Sequence, residues 1–282
     1  MKEFEGRVAV IFGAGNGFGL EFAKECATRR MKIVLVDIDK NDVERTLDLV
    51  KKMGADAISV AIDASVESEV ASMVDNVMET YGQIDLLFNN AGVAITGPVW
   101  EVPIRDWEWI MGVNVMSQIY AMKLIIPIML KQGTPCHIVN TASIAGLLTT
   151  TGMPLYHTTK FASVALTEAV AHDLKAINAN IKMLVYCPGF VQTDLYNYER
   201  HRPERFKDDT DPYYSSELYK AGLARAKYSV TTGIPVDSVA LSVFTAIEEE
   251  QFYILTHPKY NAIIGGRVKA MLEGSFLDMS SR

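Results

Sequence analysis

The chain has 282 residues, 49% of them apolar and 22% charged, with a net charge of −7. That mass suffices for one large domain or two small ones, and an acidic balance without a dense Lys/Arg block argues against nucleic-acid or anionic-membrane partners. Three scattered cysteines, Cys26, Cys136 and Cys187, read as free thiols of a reducing compartment, and five histidines without ligand spacing give no metal site.

Residues 7–12 form a short apolar run, a predicted strand, and Gly13-Ala-Gly15-Asn-Gly17-Phe-Gly19 follows at once. Leu20–Arg30 then has a helical pattern. Glycines at a strand-to-helix turn let the backbone approach a diphosphate, and the helix N-terminus supplies N–H donors. A tight turn alone can also demand glycine. Lys32–Val36 is apolar and β-branched and ends in Asp37. An acid at the end of a second strand accepts hydrogen bonds from ribose hydroxyls and repels a 2′-phosphate. The plainer alternative is a polar loop in which Asp39 or Asn41 caps the next helix.

Asn41–Met53 is an amphipathic helix, Ala57–Ile62 a third strand ending in Asp63-Ala64, and Ser65 to Tyr81 another helix. Ile84–Phe88 is the fourth strand, followed by Asn89-Asn90-Ala91-Gly92. This β-α alternation with short connections predicts an α/β fold. The expected architecture is a single-domain, doubly wound, mostly parallel seven-stranded sheet of Rossmann type, with helices on both faces. Asp106 to Leu130 reads as one long buried helix with Asn114 in its middle. A buried Asn there needs partners, either local ones or an active site. Apolar runs such as Leu124–Leu130 fall short of the roughly 18 residues a membrane helix needs, and residues 1–7 lack the apolar core of a leader. A cytoplasmic location is the expectation.

His137–Asn140 delivers Ser143 just past a strand, and a helix opens near Tyr156, with Lys160 four residues on. On a helix those two share a face. A free phenol has a pKa of about 10, and an ammonium one turn away favours the phenolate. With Ser143 holding the reacting oxygen, the trio suits ketone reduction or alcohol oxidation. Helix Phe161–Ile177 and strand Ile181–Tyr186 follow, and then Val191–Thr232 breaks the alternation. That segment carries six tyrosines and many charges. Its aromatics read as an inner face, which either closes over an apolar molecule or simply packs the segment onto the core, and its charges, Arg200, Arg202 and Arg205 among them, as a solvated outer one. Helix Pro235–Glu250 and strand Phe252–Leu255 complete a domain of residues 1–258, with 191–232 as a lid and 259–282 as a partly helical tail that frays.

Taken together, these motifs resemble the short-chain dehydrogenase/reductases, closely over 5–194 and loosely over 235–256. The resemblance implies a catalytic tetrad of Asn114, Ser143, Tyr156 and Lys160. Tyr156 would be the general acid/base, Ser143 and Tyr156 would meet the substrate, and Asn114 would hold a water linking Lys160 to solvent. It implies a dinucleotide held by Gly13, Asn16, Gly17, Phe18, Gly19, Asp37, Asp63, Ala64, Asn90, Gly92, Tyr156, Lys160, Val191 and Thr193. NAD(H) is expected over NADP(H), since Lys40 is the only cation noticed near Asp37. Phe12 stands where the family usually has threonine, and local repacking is expected. A homodimer or homotetramer is implied, the dimer through the helices of Asn114 and Lys160. The expected reaction interconverts a secondary alcohol and a ketone, on a bulky apolar substrate such as a hydroxysteroid or cyclic alcohol. Leu147, Leu148, Met153 and Leu155 would line its wall. The alternatives are a catalytically silent dinucleotide-binding regulator, or a reductase of a smaller 3-oxoacyl or polyol substrate.

Overall fold

Alternate residues of a strand point to opposite faces of its sheet, and here both faces are apolar. In β1 (Val8–Phe12), Val8, Val10 and Phe12 enter one core while Ala9 and Ile11 enter the other. In β2 (Lys32–Asp37) the same alternation sends Ile33 and Leu35 one way and Val34 and Val36 the other. Such strands must be covered twice, and the helices between them do so. The computed structural model describes residues 1–277. Within it β3 (Ala57–Ala61), β4 (Leu86–Asn89), β5 (Cys136–Thr141), β6 (Ile181–Tyr186) and β7 (Tyr253–Ile254) complete a seven-stranded sheet. Its order is β3-β2-β1-β4-β5-β6-β7 and every pairing is parallel, so the antiparallel margin left by "mostly parallel" is not used.

On one face lie α1 (Gly17–Thr28), α2 (Lys40–Lys52) and α8 (Asp237–Glu249). Phe22 of α1 is their anchor, fully buried, stacked on Phe88 at 4.7 Å and edge to face with Tyr186 at 6.0 Å between ring centroids. The other face carries α3 (Glu67–Tyr81), α5 (Ser117–Gln132) and α6 (Pro154–Ala176). The long helix expected at 106–130 runs from Ile104 to Gln132, but not as plain α-helix. After α4 (Ile104–Met111) the residues Gly112–Met116 form a π turn before α5 begins. A π turn inserts one extra residue into the helical ladder and is common at functional sites. Asn114 lies at its centre.

Among the described residues, Ile104–Gln132 is also long and apolar enough to cross a membrane by length and composition, which the sequence reading of shorter runs did not register. Ile110, Ala121, Met122, Ile125 and Met129 are buried against the protein. The segment 191–232 folds into three short 3₁₀ turns, at Leu195–His201, Glu204–Phe206 and Pro212–Ser215, followed by α7 (Glu217–Thr231). The tail contains α9 (Asn261–Leu272), and the fraying expected at its end falls partly on 278–282, outside the described residues.

Truncating the anchor tests this packing. Phe22→Ala removes a fully buried ring and should cost about 3–5 kcal/mol in denaturant unfolding. A loss under about 1 kcal/mol would show that α1 is held by something other than this aromatic stack.

Candidate active site

All strands run the same way, so their C-terminal ends share one edge. There a cavity of about 440 Å³ opens, beside the point where the strand order reverses between β1 and β4. At one end is the glycine turn. Gly13 adopts φ +68°, and a Cβ there would come within 2.9 Å of the Ala91 backbone. Gly19 is tighter still, since a Cβ would sit 1.9 Å from the Gly13 carbonyl oxygen. The N-terminus of α1 has no side-chain cap and no acid in its first turn. By contrast Asp39 caps α2, accepting from the Asn41 and Asp42 N–H groups. A bare helix N-terminus beside glycine backbone leaves N–H donors free for a diphosphate, so these residues fit a dinucleotide.

Asp37 closes that end. Its carboxylate accepts from Gly15 N at 2.8 Å and from Asp39 N at 3.0 Å. Burial raises its pKa, and these two backbone bonds act the other way. Asp63, Ala64, Asn90, Gly92, Asn16, Gly17, Phe18, Val191 and Thr193 all line the cavity with it. Gly19 does not; it supports the turn from beneath. Phe12 is buried at the cavity floor, and the turn next to it is tied without a hydroxyl from that position. Asn90 Nδ2 donates to Gly13 O at 3.2 Å, and Thr141 Oγ1 donates to Asn90 Oδ1 at 3.2 Å.

At the other end stand Ser143, Tyr156 and Lys160. Ser143 lies two residues past β5 and begins a 3₁₀ turn, Ile144–Gly146, where its hydroxyl accepts from Ala145 N at 3.1 Å. Pro154 at the start of α6 sets Tyr156 in the first turn and Lys160 one turn deeper. Gly146 fixes the two halves together: a Cβ there would lie 2.5 Å from the Lys160 carbonyl oxygen, so only glycine lets the turn touch α6. His157, which no sequence motif singles out, adds a second tie. Its Nε2 accepts from Thr150 N at 2.9 Å, so Nδ1–H donates to Ala145 O at 3.0 Å.

Lys160 is buried and donates to Thr141 O at 2.9 Å, with its ammonium 5.5 Å from the Tyr156 ring centroid. Burial lowers its pKa to about 8. Burial raises Tyr156 to about 12, and the nearby Ser143 hydroxyl acts the other way. Here burial outweighs the lowering expected from Lys160. Asn114 is fully buried and does not line the cavity. Its Oδ1 accepts from Val93 N at 2.8 Å, and its Nδ2 donates to Val93 O at 2.9 Å and Thr159 Oγ1 at 3.0 Å. It thus holds the loop after β4 against α6.

The aromatics of the lid pack mostly onto the core. Tyr198, Tyr213 and Tyr219 are buried in a cluster with Trp109, and only Tyr196 and Tyr198 of the six tyrosines reach the cavity. Arg202, assigned to a solvated face, is buried on Asp106 instead. Lys40 does point outward, 3.8 Å from Glu44, but it is not the only cation at this end. Arg200 reaches Asp39 at 2.9 Å and Asp42 at 2.5 Å. On the opposite wall Leu148 and Met153 line the cavity, whereas Leu147 and Leu155 pack elsewhere. The charged Arg225 lines it too, a residue the sequence reading passed over.

Residues 7–204 match the family model described as short chain dehydrogenase. A CLA biosynthesis dehydrogenase/reductase of Lactiplantibacillus plantarum is 52% identical over 272 residues, covering 96% of this chain and 95% of the relative. Estradiol 17-beta-dehydrogenase 11 of Mus musculus is 30% identical over 273 residues, covering 95% and 90%. Among solved structures, a short chain dehydrogenase/reductase from Burkholderia phymatum in complex with NAD matches with a TM-score of 0.94 at 40% identity. That match covers 98% of this chain and 97% of the other.

Lys160 offers a test that needs no substrate. Its folded pKa of about 8 lies below the ordinary 10.5, so between those values the unfolded chain binds more protons and stability rises with pH. Relative to Lys160→Met, the wild type should gain on the order of 2 kcal/mol of unfolding free energy between pH 7.5 and 10. Parallel curves for the two proteins would show that the lysine is not held in this buried state.

Proposed function

Since the chain belongs to the short-chain dehydrogenase/reductase family and is a dehydrogenase/reductase, we propose that it interconverts a secondary alcohol and a ketone, using NAD(H), with Tyr156 as general acid/base. One observation carries this: a single cavity joins the bare N-terminus of α1 and Asp37 to Ser143, Tyr156 and Lys160. The nicotinamide cofactor, when bound, accepts or supplies the hydride. Gly13, Asn16, Gly17, Phe18, Asp37, Asp63, Ala64, Asn90, Gly92, Val191 and Thr193 would hold it. A phenol at about 12 is protonated near neutral pH, so in ketone reduction Tyr156 can give its proton to the forming alkoxide while Ser143 donates to the same oxygen. In alcohol oxidation Tyr156 must first lose that proton, and the ammonium of Lys160 stabilises the phenolate. A silent regulator has no use for a buried lysine one turn from a phenol.

Asp37 supports NAD(H) over NADP(H), because its carboxylate would face a 2′-phosphate. Arg200 is the cation that could offset it, but three carboxylates, Asp39, Asp42 and Asp194, already hold its guanidinium. For the substrate, Trp109, Leu148, Met153, Tyr196 and Leu218 give an apolar wall, which supports a bulky cyclic or steroid-like alcohol. The relative named for estradiol supports the same class. A cytoplasmic setting accords with three buried, unpaired cysteines, and a homodimer or homotetramer with the habit of the family.

Tyr156→Phe should lower turnover about 10²–10⁴-fold while NADH still binds, since only the proton donor is lost. Retained turnover would remove Tyr156 from its role. Comparing kcat/KM for the two cofactors on one substrate should favour NAD(H), and equal values would show that Asp37 is offset. On a substrate panel, cyclic ketones should outperform small polyols. The reverse order would sink the apolar-pocket assignment.

A further inference from the structure

The stretch from Asp194 to Lys207 is pinned from two directions. On the side facing the core, Arg202 is buried, its side chain 5% exposed, with Nη1 donating to Asp106 Oδ1 at 2.5 Å. Its Nε and Nη2 form a fork on Glu199 at 2.7 and 2.8 Å, and its guanidinium lies 4.2 Å from the centre of the Trp109 ring. This anchor fixes where the stretch lies.

On the other side its neighbours reach across the cofactor end of the cavity. Arg200 bonds Asp39 and Asp42 at the start of α2, directly after Asp37, while its Nε holds Asp194 at 2.9 Å. Arg205 Nη2 donates to Asp63 Oδ2 at 2.7 Å and to Ser65 Oγ at 2.8 Å, at the end of β3. The chain therefore bridges the ends of β2 and β3, where an adenosine would lie in a dinucleotide held by the α1 turn. Between the two arginines, the His201 ring lines the same cavity as Asp37, Ile38 and Asp63. Its Nδ1 is buried and has no partner among the described residues. The anchor explains why the stretch stays near; it does not explain why two further arginines spend their charge on carboxylates at the cofactor end.

We infer that residues 195–207 form a strap over the adenosine half of the bound dinucleotide, with His201 as an adenosine-contacting residue and Arg200 and Arg205 as a clasp that opens when cofactor enters or leaves. The inference rests on the dinucleotide reading above and deepens it: cofactor affinity is set by the lid as well as by the sheet edge. The clasp is made of partly exposed ion pairs, so it weakens with salt, whereas the buried Arg202–Asp106 anchor does not.

The test measures binding, not turnover, on the full chain. In stopped-flow displacement, NADH should leave Arg200→Ala roughly three- to tenfold faster than wild type, the effect of losing a few partly exposed ion pairs. Salt should speed release from the wild type and have a smaller effect on the variant, which keeps only the Arg205 pair. Arg200→Lys keeps a charge in place and should restore much of the slow release, which separates the clasp from a folding defect. His201→Ala should weaken ADP-ribose binding and leave nicotinamide mononucleotide binding unchanged. If the wild type binds no NADH, the dinucleotide reading itself fails. If it binds NADH but release from Arg200→Ala is unchanged and salt-independent, or ADP-ribose binds His201→Ala normally, the strap is overturned while the function stands.

Discussion

The constraint on which this structure depends is the common direction of its seven strands. Parallel pairing forbids tight hairpins, so each strand returns through a helix and both sheet faces are sealed by apolar packing. Polar groups then gather at the two edges where the strands begin and end, and the helix N-termini face the second of these. Ser143 lies just beyond β5, Asp37 ends β2 and Asn90 follows β4. Residues from distant parts of the chain meet because the parallel strands all deliver their C-terminal ends to that rim. The π turn, the 3₁₀ turn at Gly146 and the long lid are all adjustments made at this rim.

Much of this was legible in the residues. The order of strands and helices, the glycine turn, Asp37 and the pairing of Tyr156 with Lys160 follow from local patterns, and local patterns survive folding. Boundaries moved by a few residues; Gly17 and Gly19 belong to α1, because a helix can begin inside a turn that glycine makes possible. The misread charges have partners far away in sequence. Arg200 finds Asp42 across 158 residues, and Arg202 finds Asp106 across 96. A run of charges on a loop looks solvated until the fold supplies such a partner. His157 is a different case: its partners Thr150 and Ala145 are near in sequence, but they meet it only once the turn at Gly146 packs on α6. Leu155 was assigned to a substrate wall by proximity in sequence, but the face of α6 it occupies turns into the Trp109 cluster.

The lid shows how charge and aromatic packing divide labour. Tyr213, Tyr214 and Tyr219 meet edge to face, with centroids 5.3 to 5.5 Å apart, and their hydroxyls bond Thr96 O, Asp106 and Glu199. Burial raises the pKa of Asp106, with the Arg202 bond opposing it. A buried ion pair of this kind adds little net stability over an apolar pair, but breaking one side leaves an expensive charge. Its contribution is registry: it fixes one position for a stretch that its own short 3₁₀ turns would not hold.

The π turn at Gly112–Met116 has an evolutionary reading. One α-helical residue turns the helix by about 100°, so a ladder with one residue extra is what an insertion into an older, regular helix would leave behind. Removing that residue would give a better helix by local criteria, yet everything downstream would rotate by the same angle. Gln118, which accepts from Ser163 of α6, would swing away, and Asn114 would lose its hold on the loop after β4. The irregularity is therefore trapped: descendants of such a chain can vary the side chains that make no such bonds, but cannot shorten this helix by a single residue and keep the rim in register.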